Sequence, residues 1–562
     1  MSGTTAVFGR NASMQTPEVW SRHTELVLMW GCNASAAGIH QEIGYLYDAM
    51  ERGARLIVVD PIVTAVASKA HLHLRPRPST DAALALGMIN HIVSRNLHDQ
   101  DYLERHTQGF SQLMEEAGQW TLERTREVTG VPEGLIAQAA EEYATHRSLL
   151  ECGYGHQRYT NGHRTQQAIS ALAAVCGHMG QPGAHCNFME VGAAYTGFLN
   201  SARVQNPPGA DIKKTRLISI SHFGPALRTA QDPPIKGIIK WRGSLITQQP
   251  DARGMIEAVK GLDFLVSIDQ FLTDDTDWSD LVLPACTIFE QWGVHPSYRH
   301  QYLQLQVPVL EPQHESMPDI DFWAELARRM GYEAYFPREW TGLDWLRLLL
   351  PDDFPLEQAM HPHGPVRLPE RFCPPVPNWD GNFQTPSGKI ELYSGVYAER
   401  AQRFPGEWDP VPRYVPSAES PDGDPERAAR YPLLVVSQHP ATRTHSQFGN
   451  LPYIQEIEGP ATAMLHPDDA AARGIAEHDR IRIYNDRADS HVLAHLTRKV
   501  LPGTVELDSG RWIKTGGNVN LLIHPRAAGP RDVGDGVMAE YDMQLDGHTI
   551  PYFNLLVEVE KA

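Results

Sequence analysis

Two acids stand where buried strands should end. Asp60 closes the run Arg55 to Asp60 and is followed by Pro61. Asp269 closes the run Asp263 to Asp269 and is followed by Gln270, with Thr273 three residues on. An acid at the carboxyl end of a parallel strand can hold a ribose hydroxyl or a base edge. Ahead of Asp60 lies a small-residue loop, Gly31 to Gly38, whose one larger polar side chain is Asn33. A loop of that kind lets a ligand approach the backbone at a helix N-terminus, where unpaired N–H groups attract anions. Its sequence, WGCNASAAG, lacks the GxGxxG dinucleotide fingerprint. Two acids in this position imply two nucleotide-like ligands, or one long ligand lying across a crevice.

Other polar residues fall beside the same feature. Arg75-x-Arg77-x-Ser79-x-Asp81 sets cations and an acid at the sheet mouth, although Asp81 also suits a plain helix N-cap. Gly155-His156-Gln157-Arg158 follows a second apolar run. Gln157 and Arg158 can donate to a phosphate or a pterin-like ring; the alternative for Arg158 is a surface salt bridge. Arg443-Thr444-His445-Ser446-Gln447 is a polar cluster in a late loop that could face a ligand. His71 and His73 share one face of a short strand, which suits either a metal or a half-exposed surface. No GxSxG, HExxH, P-loop or kinase signature is present, and Gly534-Asp535-Gly536 lacks the spacing of a thiamine-diphosphate motif.

The elements that must position these residues read clearly in places. Leu26 to Trp30 is apolar throughout, as a strand covered on both faces should be. Ile39 to Arg52 has helical apolar spacing, and Arg55 to Asp60 is a second buried strand, so the stretch is a βαβ unit. Helices are expected over Thr80 to Ile92, Pro132 to His146 and His163 to His178, with a strand at Leu149 to Tyr154. A second α/β layer begins near Ile235, with strands at Gly237 to Trp241 and Asp263 to Asp269. After Arg430 the pattern changes to short β runs at 433–436, 480–484, 491–497 and 504–507, as in a small barrel. This gives an α/β domain over 1–190, a second over 191–412, a linker over 413–430 and a β-barrel over 431–562. Met1 to Thr5 carries neither a signal peptide nor a helix start.

Composition narrows the partners. The chain has 562 residues, 42% apolar and 21% charged, an ordinary globular balance with room for large cores. A net charge of −19 argues against nucleic acid. No apolar run approaches a membrane span, and a cytoplasmic location is the default expectation. The six cysteines contain no CxxC pair, so an iron–sulfur cluster is not expected from this chain, and a disulfide framework is not suggested.

In series, these motifs resemble the molybdopterin oxidoreductases of the dimethyl sulfoxide reductase superfamily. Leu26 to Asn33 is similar to the family's strand and W-G-x-N loop, and Val58 to Ala70 to its first guanosine strand. Arg77 to Leu84 resembles P-G-T-D-x-A-L. Gly153 to Gly183 resembles the G-x-G-x-Q-R-x-x-N-G … G-x-x-G-x-P-G module. Ile268 to Glu290, Thr385 to Glu391 and His439 to Asn450 match later segments in the family's order. The resemblance implies two Rossmann-like domains followed by a six-stranded-type pterin-dinucleotide barrel. It implies a bis-molybdopterin guanine dinucleotide with molybdenum or tungsten, performing two-electron or oxygen-atom transfer on a small molecule. The contacts it implies are Gly31, Asn33, Asp60, Pro61, Asp81, Gly155, Gln157, Arg158, Asp269, Gln270, Thr273, Arg443, Thr444, His445, Ser446 and Asn518. His156 and His445 are expected to donate hydrogen bonds to the pterin or to shuttle protons.

The departures from the family shape further expectations. Its N-terminal iron–sulfur domain and metal-ligand segment are missing, and by family spacing the ligand would fall just before Met1, leaving Ser2 as the candidate. The chain is therefore expected to be part of a split or truncated catalytic subunit, or an inactive pterin-binding remnant. An iron–sulfur electron-transfer subunit and a chain supplying the missing domain are the implied partners. Ala184-His185-Cys186-Asn187 lacks the Arg-containing motif of formate dehydrogenases, which leans towards sulfur-compound or S- and N-oxide reduction.

Overall fold

The computed structural model describes residues 2–10, 13–36, 40–188, 198–200, 203–204, 207, 216–296, 300–361, 364–371, 374–377, 383–529, 537–538 and 549–562. Cys373 and Gly534-Asp535-Gly536 lie outside them. The first α/β unit is built on a five-stranded parallel sheet in the order Leu72–Leu74, Arg55–Val59, Leu26–Trp30, Ser148–Cys152, His185–Asn187. Leu26–Trp30 is the centre, paired in parallel with Arg55–Val59 and Ser148–Cys152 and buried at all five positions. Its side chains alternate between two cores, which is why it reads as an unbroken apolar run. Leu26, Leu28 and Trp30 pack with the helices Asp81–Ser94, Glu133–Thr145 and Gly162–Val175; Val27 and Met29 pack with Trp20 and Leu46 on the other face.

The N-terminus departs from expectation. Ser2–Phe8 is a helix buried at every position and packed on Gly162–Val175. The approach is close enough that a Cβ on Gly3 would strike the His163 carbonyl. Burial of Ala6, Val7 and Phe8 stabilises a helix that has no local start signal. His71 and His73 serve separate bonds: His71 accepts from Leu56 N (3.1 Å) and pairs with Glu142, while His73 Nε2 meets Asp60 O at 2.9 Å.

The second α/β unit holds a parallel three-stranded sheet in the order Leu281–Pro284, Phe264–Asp269, Gly237–Trp241. The helix Ala252–Val259 covers one face through Met255, Ala258 and Val259. Six strands then close a barrel: Leu433–Val436, Thr504–Leu507, Thr462–Leu465, Asp489–Leu496, Arg480–Tyr484 and Leu556–Lys561. Alternate residues such as Leu433, Val435, Ile481, Ile483, Val505 and Leu507 fill its interior.

The barrel is tied to both α/β units. Phe553 N donates to Arg158 O (2.9 Å) and Val63 N to Lys499 O (2.9 Å). On the other side, Ile513 N and Lys514 N donate to the Asp274 carboxylate at 2.7 and 3.2 Å. The segment 413–430 includes the helix Pro425–Arg430, and Ala418 N donates to Thr160 Oγ1 at 2.9 Å while Glu419 pairs with Arg487. Among the described residues no helix is long and apolar enough to cross a membrane.

Candidate cofactor site

A cavity of about 640 Å³ opens where the carboxyl edge of the first sheet meets the barrel and the loop after strand Gly237–Trp241. That size suits a small-molecule or cofactor site. The first sheet's strand-end loops are packed backbone against backbone. Gly31 has φ +57°, and a Cβ there would sit 3.0 Å from His156 N. A Cβ on Gly153 would collide with the Gly31 carbonyl, and Gly155 N donates to that same oxygen at 3.1 Å. Small residues thus leave main-chain groups, rather than side chains, at the mouth of the sheet.

Asp60 and Asp81 line the cavity together. Asp60 accepts from Ile62 N at 2.8 Å, yet burial pushes its carboxyl up to about 7. Asp81 lies in the first turn of its helix and reaches Trp30 Nε1 (2.9 Å); burial raises its carboxyl too. The N-cap itself is Thr80, so Asp81 is free of a capping role and faces the ligand space. With its carboxyl near 7, Asp60 holds its proton for part of the time at neutral pH and can donate as well as accept, as a ribose or base edge requires.

Arg158 supplies the positive charge. It sits between two aromatic rings, 5.3 Å from the Tyr552 centroid and 5.8 Å from that of Tyr154, and no described carboxylate pairs with it. Burial lowers its guanidinium. A cation held on aromatic faces without a counter-ion is suited to an incoming phosphate. On the barrel side, His445 is held at φ +53° with its ring 4.4 Å from that of His439, edge to face. Burial lowers both imidazoles, His439 to about 4, so both are neutral at pH 7. His156 Nε2 meets Gln166 Oε1 at 2.7 Å, and burial lowers His156 to about 4 as well.

The structure sorts the residues chosen from sequence. Gly31, Asn33, Asp60, Pro61, Asp81, Gly155, Arg158, Thr444, His445 and Ser446 line one cavity. Gln157, Asp269, Gln270, Thr273, Arg443 and Asn518 do not. Asp269 is ion-paired with Lys240, which is only 2% exposed, and accepts from Gln270 N (2.8 Å). The expected symmetry of two strand-end acids on one ligand space therefore does not appear in this cavity. Arg443 stands behind the wall, donating to His445 O and Ser509 O at 3.0 Å each. Asn518 accepts from Asn520 N (2.8 Å) and so orients a neighbour that does line the cavity. Ser2 is buried but is not among the lining residues.

Sequence reasoning passed over Gln249, Ser437, His439, Asn520 and Tyr552, all of which line the cavity. His439 had a signal, lying six residues before His445 in one loop. Tyr552 had none, because only the tertiary fold carries the C-terminal segment back to Arg158. Four buried polar atoms on this wall have no partner among the described residues: His156 Nδ1, Gln249 Oε1, Ser437 Oγ and Asn520 Oδ1. Orphaned groups cost about 1–3 kcal/mol each, so their convergence marks a place for a polar ligand with donors and acceptors of its own.

A family model described as molybdopterin oxidoreductase matches residues 6–329, more than half of the chain. This chain belongs to the molybdopterin oxidoreductase family. A second model, the molydopterin dinucleotide binding domain, matches residues 433–534, the span of most of the barrel. The chain is 29% identical over 525 residues to the probable oxidoreductase YyaE of Bacillus subtilis (strain 168), covering 92% of this chain and 75% of that protein. It is 29% identical over 576 residues to the dimethyl sulfoxide reductase DmsA of Escherichia coli (strain K12), covering 90% and 69%. It is 26% identical over 620 residues to a dimethyl sulfoxide/trimethylamine N-oxide reductase of Rhodobacter capsulatus, covering 97% and 72%. Acetylene hydratase from Pelobacter acetylenicus superposes with a TM-score of 0.77 over 100% of this chain and 80% of that one. At 22% identity that likeness speaks to the fold.

The donor set fits a molybdopterin-type cofactor. Its pterin is a flat ring edged with donors and acceptors, which the four orphaned atoms and His445 can meet. Its phosphates suit Arg158, and a sugar or base suits Asp60 and Asp81.

Proposed function

We propose that this molybdopterin oxidoreductase reduces S-oxides or N-oxides, using a bis-molybdopterin guanine dinucleotide that carries molybdenum or tungsten. The observation that supports this most is the cavity wall, where Arg158, the two buried acids Asp60 and Asp81, and four polar atoms without a partner among the described residues converge. Similarity to DmsA, a dimethyl sulfoxide reductase, and to the Rhodobacter dimethyl sulfoxide/trimethylamine N-oxide reductase favours sulfoxide and amine-oxide substrates.

When bound, the metal and its dithiolenes exchange two electrons and an oxygen atom with the substrate. The chain itself binds and orients. Arg158 offsets phosphate charge, and Asp60 and Asp81 bond hydroxyl or base groups, with burial favouring the neutral form of each carboxyl. Neutral His439 and His445 each offer one N–H and one lone pair. Phe188, stacked on Phe8 at 5.3 Å, gives the cavity an apolar wall that excludes water. Electrons are drawn from an iron–sulfur partner subunit.

The test is anaerobic turnover by purified metal-loaded protein. Reduced viologen should be oxidised on addition of dimethyl sulfoxide or trimethylamine N-oxide, two dye molecules for each sulfide or amine formed. Metal-loaded protein that oxidises no dye with either compound would contradict the reading and leave a pterin-binding scaffold.

A further inference from the structure

The barrel strand Thr504–Leu507 sends Val505 and Leu507 into the core and Glu506 to the outer side. Glu506 pairs in parallel register with Val436 and in antiparallel register with Met464. Val436, Ser437 and Gln438 line the cofactor cavity, so Glu506 stands on the strand beside that wall. It is 2% exposed, and its Oε1 has no hydrogen-bond partner among the described residues.

The groups around it come from three places. Gln438, just past the end of the neighbouring strand, presents its backbone and side-chain polar groups to it. Asp508 follows two residues along; its carboxylate is 3.8 Å from Arg443 Nη2 and 3.7 Å from Arg511 Nη2. From the loop before Thr462–Leu465, Glu458 pairs with Arg443 (2.7 Å) and Arg511 (3.6 Å). Arg443, Glu458 and Arg511 line a second cavity of about 280 Å³, and Gly510 lines both cavities. Asp508 is 23% exposed, so an acid with access to water stands beside one that has none.

Burial pushes the Glu506 carboxyl well above the usual range, and Asp508 is raised for the same reason. Both cations are engaged by Asp508 and Glu458, so Glu506 is left without one of its own at 4 Å or less. A buried acid in that state stays protonated, and one paired in register with a residue of the cofactor-cavity wall is a candidate for function.

We propose that Glu506 and Asp508 form a proton relay from solvent at Asp508 to the cofactor cavity. This rests on the reductase reading, in which each sulfoxide reduced to a sulfide takes up two electrons and two protons and releases one water. The electrons come from the cofactor and its donor; the protons come from solvent. Asp508 takes a proton from water, Glu506 passes its own past Gln438 into the cavity, and Asp508 restores it.

The experiment uses the holoprotein and the variants Glu506→Gln, Glu506→Asp and Asp508→Asn. Infrared spectra at pH 7 should show a protonated-carboxyl band that Glu506→Gln removes, and that band should exchange in D2O more slowly in Asp508→Asn than in wild type. With dimethyl sulfoxide, Glu506→Gln should lower kcat by about a hundredfold or more, the usual range for a lost proton-transfer group. KM and metal content should be unchanged, and Glu506→Asp should restore part of the rate. Absence of the band, or unchanged kcat and pH profile in a fully loaded Glu506→Gln protein, would overturn the relay. If wild type reduces no sulfoxide, the reductase reading fails separately. The exchange comparison then decides the relay, and equal exchange in wild type and Asp508→Asn overturns it.

Discussion

Gly153 has no space for a single methyl group, since a Cβ there would meet the carbonyl of Gly31 across the two strand-end loops. Gly153→Ala should therefore spread these loops, lower the melting temperature and reduce cofactor content; unchanged content measured by guanine release would count against the backbone-on-backbone packing. Asp81→Ala removes the acceptor for Trp30 Nε1, a buried donor, and should cost about 1–3 kcal/mol in denaturant unfolding. Asp60 allows a test by pH. Its carboxyl rises from an ordinary 3.8 to about 7, so the folded chain binds its proton more tightly than the unfolded chain does. Stability from this group is intact below 3.8 and is lost as pH climbs to about 7. In protein stripped of cofactor, Asp60→Asn should raise the melting temperature at pH 8 and leave it unchanged near pH 3. At this scale the sequence pointed to several residues that line the cavity and follow a buried strand or sit in a small-residue loop, as with Asp60, Gly155 and Arg158. It misled at Asp269, because nothing in a linear sequence shows that Lys240 on the next strand reaches its carboxylate.

Strands covered on both faces announce themselves as apolar runs, as at Leu26–Trp30 and Arg55–Val59, and the barrel strand Arg480–Tyr484 announces itself by alternating buried Ile481 and Ile483 with Arg. The helix Ser2–Phe8 was illegible because its stability comes from the surface it docks on rather than from capping or periodicity. Contacts between elements were illegible for the same reason. Asp274 is one such contact: it accepts from Thr247 Oγ1 (2.9 Å) within the second α/β unit and from Ile513 N and Lys514 N in the barrel. Asp274→Ala leaves three donors without their acceptor. It should speed proteolysis and hydrogen exchange around 511–520 while sparing the first sheet. Uniform protection across the variant would show that the barrel is held to this unit by other means.

Across the whole molecule, neutral buried histidines oppose the acids. His156, His178 and His439 are lowered to about 4 and His185 to about 3, chiefly by burial. Their contribution is fully present above the ordinary 6.5 and is lost as pH falls towards those values. The raised acids Asp60, Asp81, Glu506 and Asp508 act in the opposite sense, so the test is His185→Gln in stripped protein, which should lose less melting temperature than wild type between pH 6.5 and pH 4; an equal loss would contradict the burial assigned to that ring. The neutrality of the histidines at pH 7 also keeps the cavity from becoming strongly cationic around Arg158. Everything functional depends on that cavity holding a pterin dinucleotide between the first sheet and the barrel. The direct measurement is metal and guanine content of the purified chain, alongside the Arg158→Ala variant. The account requires molybdenum or tungsten near one per chain and guanine near two, both sharply reduced in Arg158→Ala. Protein that folds fully yet carries neither metal nor guanine, or a variant loaded as well as wild type, would contradict it.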